Sequence, residues 1–459
     1  MAKTKQISMV EGAPWKALIL FAVPLLFGSL FQQLYHTVDT MMVGRLVSEQ
    51  ALSAVGTCGV LTNLLVAFST GFSVGTGVIS SQLFGAGDEK KLTKNAFTSL
   101  VFFGGMGVVI AAVGIVFGEV LLKYLVSVPE TLLADAAEYF RIIAVGFIFL
   151  FGYNAVASLL RSIGDSKASF YFLMISSAAN VVLDYIFIAW FHMGMAGAAW
   201  ATVFSQAISC AVSFVYMQKK YEMFRFAGKK LRVYVEDIVI LIQTGTPMAL
   251  QSMVGTVFNL FMQRLVNSFG AAMTASYTVV GRYEGYMHLP TTTMNQAIST
   301  YAAQNKGAGK TERISIGLRH AIMIAMTVTG ILSVGSFFLA PQIVAAFGIS
   351  GQSAAYCMKH IGILAFPFLL FALYFPCTGM YQGVGKGSSA TAMSSTFLVI
   401  CLILGYTLRY VPAIGEMSLM ICKPITWMIM IPINYTYYFK GTWKNVDIIG
   451  KKRQERTER

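Results

Sequence analysis

Charged residues are scarce in this sequence: Lys, Arg, Asp and Glu together make up only 12% of its 459 residues. A soluble protein carries about 25% charged residues, so this composition excludes an ordinary soluble domain. Hydrophobic residues reach 56%, and the mean hydropathy is +0.66. Apolar runs of about 20 residues, long enough to cross a bilayer as a helix, recur along the sequence. The sequence therefore predicts an all-α membrane protein.

Motifs for cofactor-dependent chemistry are also absent from the sequence. There is no Walker lysine motif and no His-Glu metal pair, so ATP hydrolysis is excluded as the energy source. The six cysteines have no paired spacing, and neither a metal centre nor a disulfide framework is expected. The first apolar segment is too long for a signal-peptide core, so no cleaved signal is expected. Ser162–Asp165 is one residue from the paired-aspartate signature of intramembrane proteases, but it lies at a span end.

Twelve membrane spans are predicted from the apolar runs. Their approximate ranges are 17–44, 54–81, 95–119, 134–159, 168–191, 194–217, 237–267, 275–302, 317–342, 356–381, 388–408 and 414–437. With a cytoplasmic amino terminus, most Lys and Arg residues fall on the cytoplasmic side, as is typical of membrane proteins. Both termini are therefore predicted to face the cytoplasm, in the plasma (inner) membrane. The net charge of +14 then reflects membrane orientation, and no nucleic-acid partner is expected.

Two halves of six spans each align at a nearly constant offset. Gln82–Gly87 is echoed by Gln304–Gly309, an offset of 222 residues (304 − 82), and Gly164 returns as Gly385. An even number of spans gives both halves the same orientation. The predicted fold therefore has twelve transmembrane helices in two six-helix lobes related by a pseudo-two-fold axis along the membrane normal. The predicted divisions are an amino-terminal lobe at 1–217, a linker at 218–236, a carboxy-terminal lobe at 237–440 and a basic tail at 441–459.

Polar residues interrupt the apolar spans of the first half at one depth. Asn180 and Asp184 are four residues apart on the fifth span and so share a helix face. At about 1.5 Å per residue, Asp39, Asp184 and Thr202 all lie roughly 8–12 Å below the outer surface. Because an ionisable residue inside a span is costly, it usually has a function. These oxygen ligands could bind a hard cation or hold a proton.

Simpler interpretations stay open for the same residues. One of the two aspartates could pair with Arg141 or cap a helix, and the hydroxyl of Thr202 could bond the backbone of its own helix. The duplication does not extend to the acids, since Asp39 aligns with Met262 and Asp184 aligns with Gly405. Ion coupling is therefore expected in the first six spans.

Further polar residues are candidates for the wall of a substrate cavity. On the first span Gln32 and His36 precede Asp39 at helical spacing, and Tyr35 can share its side of the helix. On the eighth span Glu284 and His288 share a face, although Arg282 could instead neutralise Glu284 and stabilise a kinked helix. The candidate cavity residues are Gln32, His36, Gln251, Asn259, Met262, Glu284 and His288.

Pro24 and Pro247 lie at matching positions inside the opening span of each half. Proline removes a backbone donor and its ring clashes with the preceding turn, so each position predicts a kink. The kink could be static. Alternatively, Pro24 lets the outer part of the first span bend when the protonation of Asp39 changes.

Four short motifs carry a family resemblance: Val38–Arg45, Gln82–Gly87, Arg161–Asp165 and Gln304–Gly309. Together they resemble a bacterial member of the multidrug and toxic compound extrusion (MATE) family, and the resemblance covers essentially the whole chain. It implies a V-shaped pair of six-helix lobes that exports drugs against an inward flow of H⁺ or Na⁺. It also implies a cation site in the amino-terminal lobe at Asp39, Asn180, Asp184 and Thr202, with Tyr35 and Asn154 nearby.

One branch of that family has an essential acid on the seventh span, where this chain has the region around Gly255. This departure favours a coupling site confined to the first lobe.

The predicted function is a cation-coupled antiporter, not an enzyme, that exports amphipathic and often cationic organic molecules in exchange for H⁺ or Na⁺. We expect a monomer in the lipid bilayer without a cofactor, and no metal other than Na⁺ at the coupling residues. A flippase for lipid-linked oligosaccharide, from the same wider superfamily, is the alternative transporter. Twelve spans and few interior Arg or Lys residues argue against it. A membrane-embedded hydrolase that uses Asp39 and Asp184 is the alternative from a different class.

Overall fold

The computed structural model describes residues 8–46, 49–126, 128–229 and 231–450, with side chains at all of these positions except 34–46 and 49–53. Within these ranges the chain is almost entirely helical and contains no β-strand. An apolar segment can cross a bilayer when its backbone N–H and C=O groups bond within the segment, and a helix achieves this. The predicted all-α class is confirmed.

The structure contains long helices joined by short turns. In chain order the α-helices are α1 (Pro14–Leu46), α2 (Glu49–Gly85), α3 (Glu89–Leu121), α4 (Glu130–Ser162), α5 (Ser166–Asp184), α6 (Gly194–Lys220), α7 (Val235–Asn267), α8 (Ala271–Gly307), α9 (Thr311–Phe338), α10 (Ala340–Ala346), α11 (Gly351–Leu364), α12 (Phe368–Gly383), α13 (Gly387–Leu408) and α14 (Ser418–Phe439). Two π-helical segments, Leu122–Val126 and Tyr185–Trp190, extend α3 and α5.

Ten helices within the described ranges are long and apolar enough to cross a membrane. The number becomes eleven if α11 and α12, which are bent by 58° at their junction, form one broken span. Helix α8 is not among them, although it has 37 residues, because its sequence is more polar. Only with α8 included would the count reach twelve, so the number of spans stays a prediction.

Two predicted spans differ from the helices observed. The span predicted at 356–381 is interrupted after Leu364 and resumes at Phe368. Pro367 accounts for this interruption because proline lacks an N–H and disfavours helix at the residue before it. The span predicted at 168–191 is α-helical only as far as Asp184, where the π-helical segment begins.

The sequence repeat extends to helix lengths and turn conformations. Helices α1 and α7 both have 33 residues, and α2 and α8 both have 37. The turn after α2 contains Gly87 at φ 72°, and the turn after α8 contains Gly309 at φ 75°. Gly164 and Gly385 also match, with φ values of 91° and 94°. Because these left-handed conformations favour glycine, the repeat fixes the turns of both halves in the same way.

The described helices form two compact units. One consists of residues 23–249, and the other of residues 8–22 and 250–450. This division differs from the predicted lobes, because residues 8–22 pack with the second unit and residues 218–249 pack with the first. Helices α1 and α7 therefore both begin in one unit and continue into the other. The two changes of unit lie within three residues of Pro24 and Pro247.

Residues 8–13, which precede α1, are bound by the Gln304–Gly309 motif of the second unit. The backbone N–H of Met9 donates to Oε1 of Gln304 at 3.3 Å, and Nδ2 of Asn305 donates to the Met9 carbonyl at 2.9 Å. Arg313 donates to Oδ1 of Asn305 at 3.1 Å and to the Gly12 carbonyl at 3.0 Å. These bonds explain why residues 8–22 belong to the second unit, and they assign a structural role to the Gln304–Gly309 motif.

In the first unit, the beginning of α7 packs closely against α2. Gly71 and Gly75 on α2 face the α7 backbone at Ala249 and Gly245, and a Cβ at either α2 position would overlap that backbone. Aromatic rings of α3 and α4 supply much of the core of this unit; they belong to Phe103, Phe140, Phe147 and Phe151. Glycine and small residues thus allow the helices to approach closely, as is common between membrane helices.

We predict that Asn305→Ala destabilises the attachment of residues 8–13. The substitution removes a fully buried amide that bonds both Met9 and Arg313, and such a loss costs about 1–3 kcal/mol. Limited proteolysis of the purified protein should cleave this segment faster, and thermal unfolding should begin at a lower temperature. Asn259→Ala, at an exposed position, is the control. Equal protection in both variants would contradict the role of Asn305.

Candidate cation-coupling site

Helices α5 and α6 bring three of the predicted coupling residues into one region. Nδ2 of Asn180 lies 3.5 Å from Oγ1 of Thr202, at the long limit of a hydrogen bond. Asp184 lies one helical turn beyond Asn180 on the same face of α5, and its residue exposure is 0%. The structure thus places a carboxylate, an amide and a hydroxyl on two adjacent helices.

The hydroxyl of Thr202 bonds its own helix, donating to the Ala198 carbonyl at 3.1 Å. This is the simpler of the two interpretations that the sequence left open. The bond to Ala198 still leaves the Thr202 oxygen able to act as a ligand. The same Oγ1 faces Asn180, and a hydroxyl oxygen can accept as well as donate.

Asp184 is the last residue of α5 before the hydrogen-bonding pattern changes. The next residues, Tyr185–Trp190, form the π-helical segment. Such segments are rare and often occur at functional sites. The carboxylate is therefore buried where the regular helix ends.

Arg141 does not neutralise Asp184. Its guanidinium donates to Oε2 of Glu119 at 2.9 Å, and both side chains are about half exposed. For Asp184 the alternative of a pair with Arg141 is wrong, because Arg141 forms its ion pair with Glu119 at the surface of α3 and α4. For Asp39 the alternative lies outside the described side chains.

The contribution of α1 to the site stays a prediction. Asp39, Tyr35 and His36 belong to the α1 backbone, but their side chains lie outside the described ones. Gln32, one turn before His36, is exposed.

Asn154 connects α4 to α2. Its Nδ2 donates to Oγ of Ser69 at 2.9 Å, and its carbonyl accepts from the Ser73 hydroxyl at 2.9 Å. These bonds give Asn154 a packing role, and its membership of the cation site stays a prediction.

The second unit contains a buried ion pair that the sequence did not reveal. Nζ of Lys423 on α14 donates to both carboxylate oxygens of Glu284 on α8, at 2.7 and 2.5 Å. Both residues are only 8% exposed. The alternative in which Arg282 neutralises Glu284 is wrong, since Arg282 is exposed and Glu284 pairs with Lys423 on α14. Lys423 was not among the predicted site residues, although a lysine inside an apolar span is itself a signal.

Two histidines lie close to this ion pair. The ring of His288 packs edge-on against Phe371, with centroids 4.5 Å apart. His360 on α11 is fully buried, and its ring centroid lies 6.0 Å from that of Tyr277. Among the described residues, neither ring nitrogen of His360 has a hydrogen-bond partner. The second unit therefore has a polar cluster of its own inside the membrane-spanning region.

The other candidates for the cavity wall have different environments. Gln251 donates to Ser394 at 2.7 Å and accepts from Gln382 at 3.0 Å. Asn259 is exposed. Met262 is fully buried in the hydrophobic core of the second unit, so it fills space between helices there. Which of the candidate residues contact a substrate stays a prediction.

Asp165 has a structural role at the turn between α4 and α5. Its carboxylate caps α5 by accepting from the Ala168 N–H at 3.1 Å, and it also accepts from the Tyr221 hydroxyl at 2.6 Å. Burial raises the pKa of this carboxyl, but the Tyr221 bond and the Lys220 charge lower it by more. Its pKa is therefore below the ordinary range and it stays ionised, as suits a helix cap rather than a protease acid.

Relatives with similar sequences cover nearly all of the chain. The probable multidrug resistance protein YoeA of Bacillus subtilis is 28% identical over 448 residues, 95% of each chain. YpnP, also described as a probable multidrug resistance protein of Bacillus subtilis, is 26% identical over 454 residues. The alignment covers 98% of this chain and all of YpnP. The multidrug export protein MepA of Staphylococcus haemolyticus is 27% identical over 84% of each chain.

Solved structures share the fold. An outward-facing multidrug resistance MATE transporter of the MOP superfamily superimposes with a TM-score of 0.90 at 21% identity, covering 97% of this chain and all of the other. A MATE structure in complex with MaL6 gives 0.90 at 22% identity, covering 96% and 100%. The MatE family model matches residues 24–186 and 247–410, one segment in each half of the repeat. This chain belongs to the MatE family, the multidrug and toxic compound extrusion transporters that its motifs resemble.

Proposed function

We propose that this protein is a cation-coupled antiporter that exports amphipathic, often cationic, organic compounds in exchange for H⁺ or Na⁺. It works as a monomer in the plasma membrane with both termini in the cytoplasm, and it needs no cofactor. The names of its relatives, which include multidrug resistance and multidrug export proteins, support the substrate class. The observation that carries the coupling is the fully buried carboxylate of Asp184 beside Asn180 and Thr202.

A carboxylate in a site of low polarity is stable when it is protonated or accompanied by a cation. Oxygen atoms of carboxylate, amide and hydroxyl groups are the ligands that hard cations prefer. Asp184, Asn180 and Thr202 supply all three kinds, and Asp39 is proposed to add a second carboxylate from α1. Either a proton or a Na⁺ ion can satisfy this set of ligands.

The electrochemical gradient of the coupling ion supplies the energy for export. One elementary charge that moves inward across 100 mV yields roughly 2.3 kcal/mol, which corresponds to about 50-fold accumulation of an exported neutral compound. A cation that binds at Asp39 and Asp184 favours release of the drug outside, and its departure to the cytoplasm completes the cycle.

Lys423 does not favour the flippase alternative. A lipid-linked oligosaccharide carries phosphate, so its transporter needs a cationic cavity. Lys423 is an interior lysine, but its charge is neutralised by Glu284 within hydrogen-bond distance. The Lys423–Glu284 pair therefore has no net charge and does not make a cationic cavity.

Asp184→Asn should abolish efflux driven by an ion gradient, because an amide cannot alternate between charged and neutral forms. Efflux from proteoliposomes, under H⁺ and Na⁺ gradients imposed separately, should fall to the level of protein-free liposomes, with drug binding retained. Asp135→Asn, at an exposed position on α4, is the matched control and should transport normally. Wild-type efflux by Asp184→Asn would rule out the proposed coupling role.

Coupling-ion binding should be detected in the first half of the chain. Amide hydrogen exchange of the purified protein, with and without the coupling ion, should show protection within α5, its π-helical segment and α6. Helix α8, whose Glu284 already has a partner in Lys423, should not respond. Protection confined to α8 and α14 would place the coupling site in the second half instead.

Pro24→Ala should slow transport severalfold while drug affinity changes little, since a straight α1 could no longer bend when Asp39 is charged or neutralised. Pro247→Ala is the matched variant, because α7 has Met262 at the position that corresponds to Asp39. It should do less harm to transport. Equal losses in both variants would favour static kinks that serve only packing.

A further inference from the structure

The duplicated scaffold assigns a counterpart in the second half to each residue of the first-half site. Helix α5 begins at Ser166 and α13 begins at Gly387, an offset of 221 residues (387 − 166). The same offset joins Gly194 to Gly415, and both glycines have positive φ values, 58° and 47°. The turns before the regular parts of α6 and α14 thus have a glycine at equivalent positions and in a similar conformation.

At this offset Thr202 corresponds to Lys423 (423 − 221 = 202). Asn180 corresponds to Cys401 by the same count. The neighbours correspond as well: Asn180 faces Thr202 in the first half, and Cys401 lies beside Cys422 and Lys423 in the second. A lysine on α14 therefore occupies the sequence position at which the first half has Thr202, one of its proposed cation ligands.

The carboxylate that pairs with Lys423 comes from a helix that does not correspond to α5. Asp184 corresponds to Gly405, so α13 supplies no carboxylate, and Glu284 on α8 supplies one instead. The ammonium of lysine carries the same single positive charge as Na⁺, and it is attached to the backbone by a flexible chain of four carbons. The Lys423–Glu284 pair is thus a carboxylate with a monovalent cation already bound.

We propose that Lys423 is a tethered cation, which permanently occupies the second-half counterpart of the coupling site with Glu284 as its counter-ion. The inference rests on the function proposed for the first half. It explains how one half of a duplicated transporter can respond to an exchangeable ion while the other does not. The second half keeps the charge balance of a cation-loaded site throughout the cycle.

The surroundings of the pair fit this proposal. The titratable groups around it on the adjoining helices are Tyr277, Tyr283 and His288 of α8, His360 of α11, Cys401 of α13 and Cys422 of α14. Arg282 and Lys359, which are charged and close in sequence to these groups, are exposed. If the ammonium were removed, the Glu284 carboxylate would be buried without compensation and would recruit a cation or a proton.

The test is Lys423→Thr, which introduces the residue of the first half, in a chain that also carries Asp184→Asn. The thermal stability of the purified protein is measured against Na⁺ concentration, with choline as the balancing ion, and against pH. A ligand that binds only the folded protein raises stability by mass action. The triple variant with Glu284→Gln added is the control, because it removes the carboxylate that would bind the new cation.

We expect the unfolding temperature of Lys423→Thr/Asp184→Asn to rise with Na⁺ or with falling pH by more than that of Asp184→Asn alone, which shows any response of the remaining Asp39. The additional response should disappear when Glu284→Gln is added. A response in Lys423→Thr/Asp184→Asn no larger than that of Asp184→Asn alone would overturn the proposal, and so would an additional response that survives Glu284→Gln.

If Lys423→Thr/Asp184→Asn cannot be purified, the amount of folded protein in the cells is compared with and without Glu284→Gln. The proposal then requires that adding Glu284→Gln restores folded protein, because the uncompensated carboxylate is the cause of failure. No recovery would overturn it. Since the Asp184 carboxylate is absent from this background, and any response of Asp39 also occurs in Asp184→Asn alone, these outcomes do not depend on whether Asp184 couples transport. That question is answered separately by efflux through Asp184→Asn.

Discussion

A carboxylate buried in the hydrocarbon region needs a compensating positive charge or a proton, and this constraint governs both polar sites of the chain. In the second unit Lys423 meets the requirement from within the protein, at 2.5 Å from Glu284. In the first unit the fully buried Asp184 is proposed to meet it with an ion from solution. A fixed partner and an exchangeable partner satisfy the same electrostatic rule, but only the second can carry energy from a gradient.

The two halves share the features that determine the backbone fold but differ in the polar side chains that could bind an ion. Helices α2 and α8 have the same length, and the turns after them have glycines in the same conformation at Gly87 and Gly309. These features depend on backbone geometry, which both halves share. The polar side chains differ between the halves because nothing in helix packing requires a carboxylate at a given position. Two similar frameworks can therefore hold one responsive site and one site that is neutral in itself.

Most of the fold could be predicted because most of the long helices can be recognised locally, from about 20 apolar residues in a row. The wrong partner for Glu284 arose because its true partner comes from a distant part of the chain. Arg282 and Glu284 are close in sequence, but residues two apart on a helix point to different sides. Glu284 pairs with Lys423, which is 139 residues away. The interruption before Phe368 was missed because a long apolar run hid the effect of Pro367.

The sequence by itself determined the membrane class, the duplication, the family and the grouping of Asn180 with Asp184, since all of these depend on composition, local spacing or motifs. Only the tertiary structure decided that Asn180 faces Thr202, that Arg141 bonds Glu119, and that Asn154 bonds Ser69. It also decided which unit receives each end of α1 and α7. The physical reason is that helix formation is a local property, whereas the neutralisation of a buried polar group depends on which helices pack together.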